Sequence, residues 1–418
     1  MRILQANSFH YRRGGDSVQF LELADALGER GHDVGMFSMH HSGNLPSRWS
    51  PYWVANVEYR GELSSADRLR AAWRSVYSPS VGRHMTSLVR DFGPDVVHFH
   101  SVQHHLTVAA VDACLALGVP TVWTLHDYRS VCPATSLLRA GELCDRCAGG
   151  QFWHGVVGRC KSGELTRSAA AVGESYITRM RGTLKAVDCF IAPSRFLAGK
   201  VVAMGLPARR VEVIPNPVAV YDDAPKGRRE SAEILYVGRL SPEKGAKTLI
   251  RAVAKVPGVR LRVVGDGPEH AVLKTLAQES KACVSFDGWL DADGVRERMR
   301  DARLLCVPSV WYENCPGVVL EGMALGLPVV ASDLGGLTEL LDSGRAGWLA
   351  PPGDVAAWSA VLSDALTRPE DGEELARAAL ARVRARHSPG VFLDTIEAVY
   401  RSLIDCSTRP PAARSSRC

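Results

Sequence analysis

The sequence predicts an α/β chain built as two doubly wound domains, and three observations carry that reading. Apolar runs of strand length recur in both halves, each followed by a turn and a segment with helical spacing. A glycine-bearing loop follows the first strand of each half, Gly14-Gly15 in one and Gly238-Arg239-Leu240 in the other. The 418 residues, 46% hydrophobic and 23% charged, supply two soluble cores of ordinary size. The halves repeat an architecture and not a sequence.

Arg2-Ile3-Leu4 opens the first half as a strand. Tyr11 to Asp16 forms a loop, and Asp16 or Ser17 is the expected cap of a helix with Phe20, Leu21, Ala24 and Leu27 on its apolar face. Gly31 ends that helix and Asp33 to Phe37 is the next strand. Gly14 and Gly15 let a backbone approach closely where the helix start could face a phosphate; the alternative is a tight turn without a ligand. The loop lacks the Gly-x-Gly-x-x-Gly spacing, which argues against a dinucleotide cofactor. Ala66 to Leu88 reads as a helix. Its arginines Arg68, Arg70, Arg74 and Arg83 suit either an anionic lipid surface or plain solvent.

Asp95 to His100 and Thr121 to Asp127 are further strands. Ligands of doubly wound folds lie beyond the carboxyl ends of such strands, which makes His126 the best-placed histidine for chemistry. His98 and His100 are expected on alternate faces, at least one of them structural. A stretch from about 128 to 167, too long for a plain connection, then carries Cys132, Cys144, Cys147 and Cys160 in a C-x11-C-x2-C-x12-C pattern. That spacing allows a structural four-thiolate zinc site; two disulfides, a redox pair or unconnected thiols remain alternatives. Asp188 to Ser194 and Val211 to Val218 complete the strands of the first half. The expected boundaries are an N-terminal domain at 1–216, a C-terminal domain at 217–387, a last helix at 388–405 and a disordered tail at 406–418.

In the second half Glu233 to Val237, Arg260 to Val264, Cys283 to Phe286, Leu304 to Val307 and Val329 to Ser332 read as strands. Arg239 and Lys244 flank the turn after the first of them. Two cations there would neutralise a diphosphate, Arg by its planar fork and Lys as a point charge; a solvated basic turn is the alternative. Pro308 to Gly336 is the densest stretch. Asn314 is the expected N-cap of a short helix over Val318 to Leu325, with Pro316 in its first turn. Glu313 precedes that helix, and Glu321 lies within it about 8–12 Å further on. The separation is comparable to the reach of a diphosphate, so one carboxylate could hold a sugar and the other a ribose; a capped surface helix with two solvated glutamates is the alternative.

The net charge of +5 divides into +6 for residues 1–220 and −1 for the rest. That excess is too diffuse for a nucleic-acid binder. No run of about 18 apolar residues predicts a membrane span, and the first residues do not form a signal peptide. A cytoplasmic location follows, and the eleven cysteines are then read as thiols or metal ligands rather than disulfides.

Taken together, these motifs resemble the retaining glycosyltransferases of family 4, with the GT-B fold. The resemblance rests on Gly14-Gly15, Asp95 to His98, Thr124 to Asp127, Ile214-Pro215-Asn216, Gly238-Arg239-Leu240 with Glu243-Lys244-Gly245, Gly265 to Pro268, and Glu313 to Glu321 with Gly335-Gly336. It implies two Rossmann-like domains facing across a cleft, the C-terminal one binding a nucleotide-diphosphate sugar and the N-terminal one the acceptor. Arg239 and Lys244, with the backbone near Gly14 and Gly15, would bind the diphosphate. Glu313 and the amides of Cys315 to Gly317, next to Asn314 and Pro316, would hold the sugar hydroxyls. Glu321 would hold the ribose, Gly265 would lie near the base, and His126 would meet the sugar beside the reacting carbon. No cofactor or metal is implied for that step, so zinc at the cysteines would be structural. The acceptor would be a saccharide, a lipid-linked sugar or a small molecule, with peripheral membrane contact as an option and no nucleic acid. Two readings keep the fold and change the activity: a sugar-nucleotide epimerase or hydrolase, and a non-catalytic nucleotide-sugar-binding protein. Gly322 stands where this family usually has alanine, and the cysteine stretch occurs in only a subset of it.

Overall fold

The computed structural model describes residues 1–56, 74–220 and 233–408. The chain divides into two compact units. The first comprises Met1–Pro193, Leu197–Ile214 and the chain from Leu393; the second comprises Ser194–Phe196 and Pro215–Phe392.

The first unit is built on a six-stranded parallel sheet. Its strands are β1 (Arg2–Ala6), β2 (Asp33–Phe37), β3 (Val96–Phe99), β4 (Thr121–Thr124), β7 (Cys189–Ala192) and β8 (Val211–Val213), in the order β2-β1-β3-β4-β7-β8. β5 (Leu138–Arg139) and β6 (Glu142–Leu143) form a small separate hairpin. β3, β4 and β7 are buried along their whole length, as parallel strands covered on both faces must be. The strand order reverses between β1 and β3, which places the expected ligand crevice at the loops that follow them.

Helix α1 (Gly15–Glu29) buries Phe20, Leu21, Ala24 and Leu27, the face read from their spacing. Its cap differs from the expectation. Gly14 is the N-cap and no side chain caps the helix, so neither Asp16 nor Ser17 has that role. Both lie inside the first turn, where Asp16 favours the positive helix end through its charge. The helix expected over 66–88 falls partly on residues 57–73, outside the described residues. Its described part breaks at Ser78, and α2 (Pro79–Phe92) buries Val81, Met85, Leu88, Val89 and Phe92.

The second unit has its own six-stranded parallel sheet. β9 (Glu233–Val237), β10 (Arg260–Val264), β11 (Val284–Gly288), β12 (Leu304–Val307), β13 (Val329–Ser332) and β14 (Trp348–Ala350) run in the order β11-β10-β9-β12-β13-β14. This is the doubly wound order in which a nucleotide lies where the direction switches, here between β9 and β12. Alternation along β9 divides the core. Ile234 and Tyr236 join the cluster containing Leu249, Ile250 and Trp358, while Leu235 joins the opposite one containing Val319, Leu320, Met323 and Val383.

The last helix, Pro389–Thr408, extends into the stretch expected to be disordered, so 406–408 are ordered. From Leu393 onward it belongs to the first unit, burying Leu393, Ile396, Val399, Tyr400 and Leu403 at helical spacing. Arg30 Nη1 clamps it through Asp394 Oδ1 (2.6 Å) and Glu397 Oε1 (3.1 Å). Among the described residues no helix is long and apolar enough to cross a membrane.

Gly245 is held by a close approach. Its φ is +71°, and a Cβ there would stand 1.9 Å from the Pro308 carbonyl oxygen, where the loops after β9 and β12 touch. Gly245→Ala is expected to cost about 1–3 kcal/mol through strain and displacement of that carbonyl, read from the urea midpoint. An unchanged midpoint would show that the two loops need not touch.

Candidate functional site

At the switch point of the second sheet, the loops after β9 and β12 bring together residues 69 positions apart. Glu313 is buried, and its Oε1 accepts a hydrogen bond from Lys244 Nζ at 2.7 Å and from Ser309 Oγ at 2.7 Å. A buried carboxylate without such partners would carry a large desolvation cost, so the lysine and the serine fix where it can lie. Lys244 also sits 5.2 Å from the centre of the Trp311 ring. The sequence reading assigned Lys244 to phosphate and Glu313 to sugar separately; here the two share one ion pair. Arg239 is exposed on the same loop, and its carbonyl accepts the Tyr236 hydroxyl proton at 3.0 Å. Burial, then the negative charges of Glu313, Glu243 and Glu269, push the Tyr236 phenol above its ordinary range, so it stays a donor.

Helix α3 (Gly317–Ala324) starts one residue earlier than expected, with Pro316 as cap residue and no side-chain cap, so Asn314 is not the N-cap. The Asn314 carbonyl instead nests against Gly336, where a Cβ would stand 1.9 Å away, and Gly336 N donates to the Glu313 carbonyl at 2.8 Å. This contact is why the loop passes the capping position. Helix starts leave amides without intrahelical partners, and here they follow directly on Glu313. Glu321 is exposed, its Oε1 3.7 Å from where a Gly317 Cβ would stand. Burial pushes the Cys315 thiol up to about 12, so the backbone of this residue, and not its sulfur, is the chemical asset. Gly265 is tied in by its own amide, which donates to Gly288 O at 2.7 Å. A Cβ on Gly322 would meet Leu305 Cδ2 at 2.7 Å; the leucine occupies the space an alanine methyl would need.

In the first unit, His126 lies past the end of β4 as expected. His98 and His100 do not alternate faces. His98 lies on β3 and His100 directly follows its end, two residues on, so they share a face, and their rings are 4.3 Å apart. Gln5, Thr124 and His126 fall on that face too, and Tyr400 of the last helix closes a circuit over it. Gln5 Nε2 donates to Tyr400 Oη (3.4 Å), Gln5 Oε1 lies 2.8 Å from His100 Nε2, and His100 Nδ1 lies 3.0 Å from His126 Nε2. His98 bridges Tyr400 Oη (2.6 Å) and Thr124 Oγ1 (2.7 Å).

The amide oxygen of Gln5 orders the protons. His100 must donate from Nε2, so its Nδ1 accepts, and His126 must carry its proton on Nε2. Burial lowers the pKa of His98 to about 3 and holds His100 well below the usual range. Burial also lowers His126, with Asp16 and Asp127 opposing. The three imidazoles are neutral at neutral pH. The sequence offered His98 and His100 as strand residues, but Gln5 and Tyr400 could not be found from spacing, since 395 positions separate them. A Cβ on Gly15 would meet nothing within 4 Å, so protein packing does not demand that glycine.

Cys132, Cys144, Cys147 and Cys160 do gather, around one small pocket with His154, Arg139 and Arg146. All four are free thiols, which removes the two-disulfide alternative. Among the described residues no group of three or more histidine, cysteine, aspartate or glutamate donors is arranged to hold a metal ion, so the geometry assigns them no zinc. Burial raises the Cys132 and Cys160 thiols and pushes Cys147 up to about 12.

The comparisons with known proteins agree with this layout. The family described as "Glycosyltransferase Family 4" matches residues 13–220, and that described as "Glycosyl transferases group 1" matches residues 231–368. The phosphatidyl-myo-inositol mannosyltransferase of Mycobacterium leprae is 34% identical over 417 residues, 96% of each chain. Among solved structures, sucrose-phosphate synthase from Thermosynechococcus elongatus superposes with a TM-score of 0.70 at 21% identity, over 97% of this chain and 100% of that one. Anabaena HepE in complex with UDP gives 0.67 at 20%, over 96% and 100%.

The network generates two predictions. Tyr400→Phe is expected to cost about 1–3 kcal/mol, because it leaves buried polar groups of His98 and Gln5 unsatisfied; urea denaturation reads this, and no loss would mean that the circuit is not formed. The depressed histidines bind protons mainly after unfolding. Their stabilisation is complete above 6.5 and is lost as pH falls, for His98 down to about 3. For His98 the limiting slope, well below 6.5 and above about 3, is about 1.4 kcal/mol per pH unit. Midpoints that stay flat from about pH 7 to about pH 5 would contradict the burial of neutral imidazoles.

Proposed function

The chain belongs to glycosyltransferase family 4 and moves a sugar from a nucleotide-diphosphate donor to an acceptor, and from that premise we propose that the second unit holds the donor and the first the acceptor. The observation that carries this is the Lys244–Glu313–Ser309 cluster at the switch point of the second sheet.

In this reading Arg239 and Lys244 neutralise the diphosphate. Lys244, held 2.7 Å from Glu313, is placed to divide its protons between that carboxylate and a phosphate oxygen. Glu313, fixed by Ser309, accepts from sugar hydroxyls beside the amides of Cys315 to Gly317, next to Asn314 and Pro316. Glu321 takes the ribose, and the backbone at Gly265 lies near the base. From the first unit, Gly14 and Gly15 offer amides to the diphosphate and His126 meets the sugar beside the reacting carbon. The anomeric carbon's bond to phosphate oxygen breaks and the acceptor oxygen bonds the same face. The acceptor's proton leaves with the nucleotide diphosphate, and the configuration is retained. Charge grows on the departing phosphate, which is where two fixed cations stabilise most. We place the reaction in the cytoplasm, at the inner face of the membrane where the acceptor is lipid-borne.

A thermal-shift panel with UDP-, GDP-, ADP- and dTDP-sugars tests the donor site. One nucleotide at about 100-fold over its Kd is expected to stabilise by about 2.7 kcal/mol. Arg239→Ala and Glu321→Ala should abolish that shift while melting as the wild type does without ligand. A shift that survives both substitutions would remove these residues from the donor site. NMR of the product's anomeric proton checks retention, and an inverted product would refute that part.

A further inference from the structure

The pocket around His126 adjoins a larger one in the same unit. The first is lined by His100, His126 and Asp127 among others, the second by Arg129, Glu174 and Arg179, and the two share Gln103 and Ser130. Arg129 and Ser130 follow β4 directly, so the larger pocket also lies off the carboxyl edge of the sheet. Its apolar wall comes from Phe152, Leu184 and Met204.

The charges around this pocket do not balance. Glu174 is buried, and burial alone would raise its carboxyl. His104 outweighs that, with Nδ1 at 2.8 Å and the backbone amide at 3.0 Å, and holds the group ionised. That carboxylate is therefore already matched. Arg129 lies 3.7 Å from Asp127, a loose pair, and its charge also reaches Glu174 and helps to lower that carboxyl. Arg179 has no ion pair among the described residues, and its guanidinium lies against the backbone of Gly150, where a Cβ would meet Nη1. Lys161 adds a third cation. Burial, then the charge of Arg129, lowers its pKa, with Asp127, Glu174 and Cys132 opposing, so it is chiefly a cation short of solvent. The Ser130 hydroxyl, at the junction of the two pockets, is buried with no hydrogen-bond partner among the described residues. Two arginines, a nearby lysine and an unanswered hydroxyl form a donor set suited to an anion, and guanidinium forks match phosphate or carboxylate oxygens.

We propose that this pocket binds an anionic group of the acceptor, a phosphate or a carboxylate, through Arg129 and Arg179, with Ser130 at the passage to His126. The inference rests on the reading that the first unit holds the acceptor. The hydroxyl that receives the sugar then lies toward His126 and the anion on the far side of Gln103 and Ser130. The apolar wall accommodates the rest of the molecule.

The test titrates the full-length protein calorimetrically with glycerol 3-phosphate, glycerate and glycerol. Because the donor site also attracts phosphate, the same titrations are made on the Arg239→Ala/Lys244→Ala variant. At least one of the two anions is expected to bind that variant as it binds the wild type, and glycerol is expected not to bind. Arg129→Gln and Arg179→Gln should each weaken the anion by about tenfold, the loss of one charged hydrogen-bonding partner. Arg179 is exposed, so its substitution tests the site without endangering the fold. Sedimentation with phosphatidylglycerol vesicles, against phosphatidylcholine, separates the sources. Arg179-dependent retention on the anionic vesicles identifies a lipid-borne group, and binding in solution alone identifies a soluble acceptor. Binding lost in an Arg239→Ala/Lys244→Ala variant whose circular dichroism and melting remain those of a folded protein would place the anion in the donor site, overturning this proposal and leaving the transferase reading intact. No anion binding, or affinities untouched by both arginine substitutions, would overturn it as well. If anions bind here while no nucleotide sugar shifts the melting curve, it is the donor-site reading that fails.

Discussion

A parallel sheet covered on both faces leaves polar chemistry one accessible place, the edge where its strands end. Both units obey this constraint. β12 and β13 are buried throughout, and the cluster of Lys244, Ser309 and Glu313 appears only where the chain leaves β9 and β12. β4 is likewise buried, and His126, Asp127 and Arg129 follow as soon as it ends. Polar residues that do enter a strand must answer one another. Gln5 and His98 are adjacent across β1 and β3, and each side chain is bonded within the circuit that Tyr400 closes. A helix from the far end of the chain thus completes the hydrogen bonding of the first sheet.

The ion pair between Lys244 and Glu313 is better explained by function than by stability. Replacing such a pair by apolar residues is often neutral, whereas removing one partner costs about 3–5 kcal/mol. What the pair does secure is position. Ser309 and Lys244 both bond the same oxygen, Oε1, and the Gly336 amide holds the Glu313 carbonyl, so side chain and backbone are fixed from opposite sides. A carboxylate held this way can discriminate the hydroxyls of a sugar, which a free surface glutamate cannot.

The strands were legible because a buried parallel strand is a short apolar run with little ambiguity; β9, β10, β12 and β13 begin and end where the apolar pattern does. The carboxyl-edge residues were legible for the same reason, as the first polar positions after each run. Helix caps were not. Asp16, Ser17 and Asn314 have the right chemistry for capping, but the paths of their loops are set by contacts with other loops, as Asn314 against Gly336 shows. The shared face of His98 and His100 follows from the two-residue repeat itself, against the alternation expected of them. Tyr400 and Gln5 lay beyond reach, since nothing local in either segment records a partner at the other end of the chain. The cysteine spacing did predict proximity, yet proximity around a pocket is a weaker condition than four sulfurs converging on one point.

The excess of basic residues in the first half gains a meaning that composition alone could not supply. Many of these cations are answered: Arg2 and Arg48 by Asp33, Arg12 by Glu22, Arg30 by Asp394 and Glu397, Arg181 by Asp112. Most of those pairs are exposed, where each contributes little. Around the pocket beside His126 the balance is different. One carboxylate is taken by a histidine and another touches its arginine only loosely. Arg179 lies against the Gly150 backbone and has no ion pair among the described residues. Cations kept where little answers them are a mark of binding rather than of architecture.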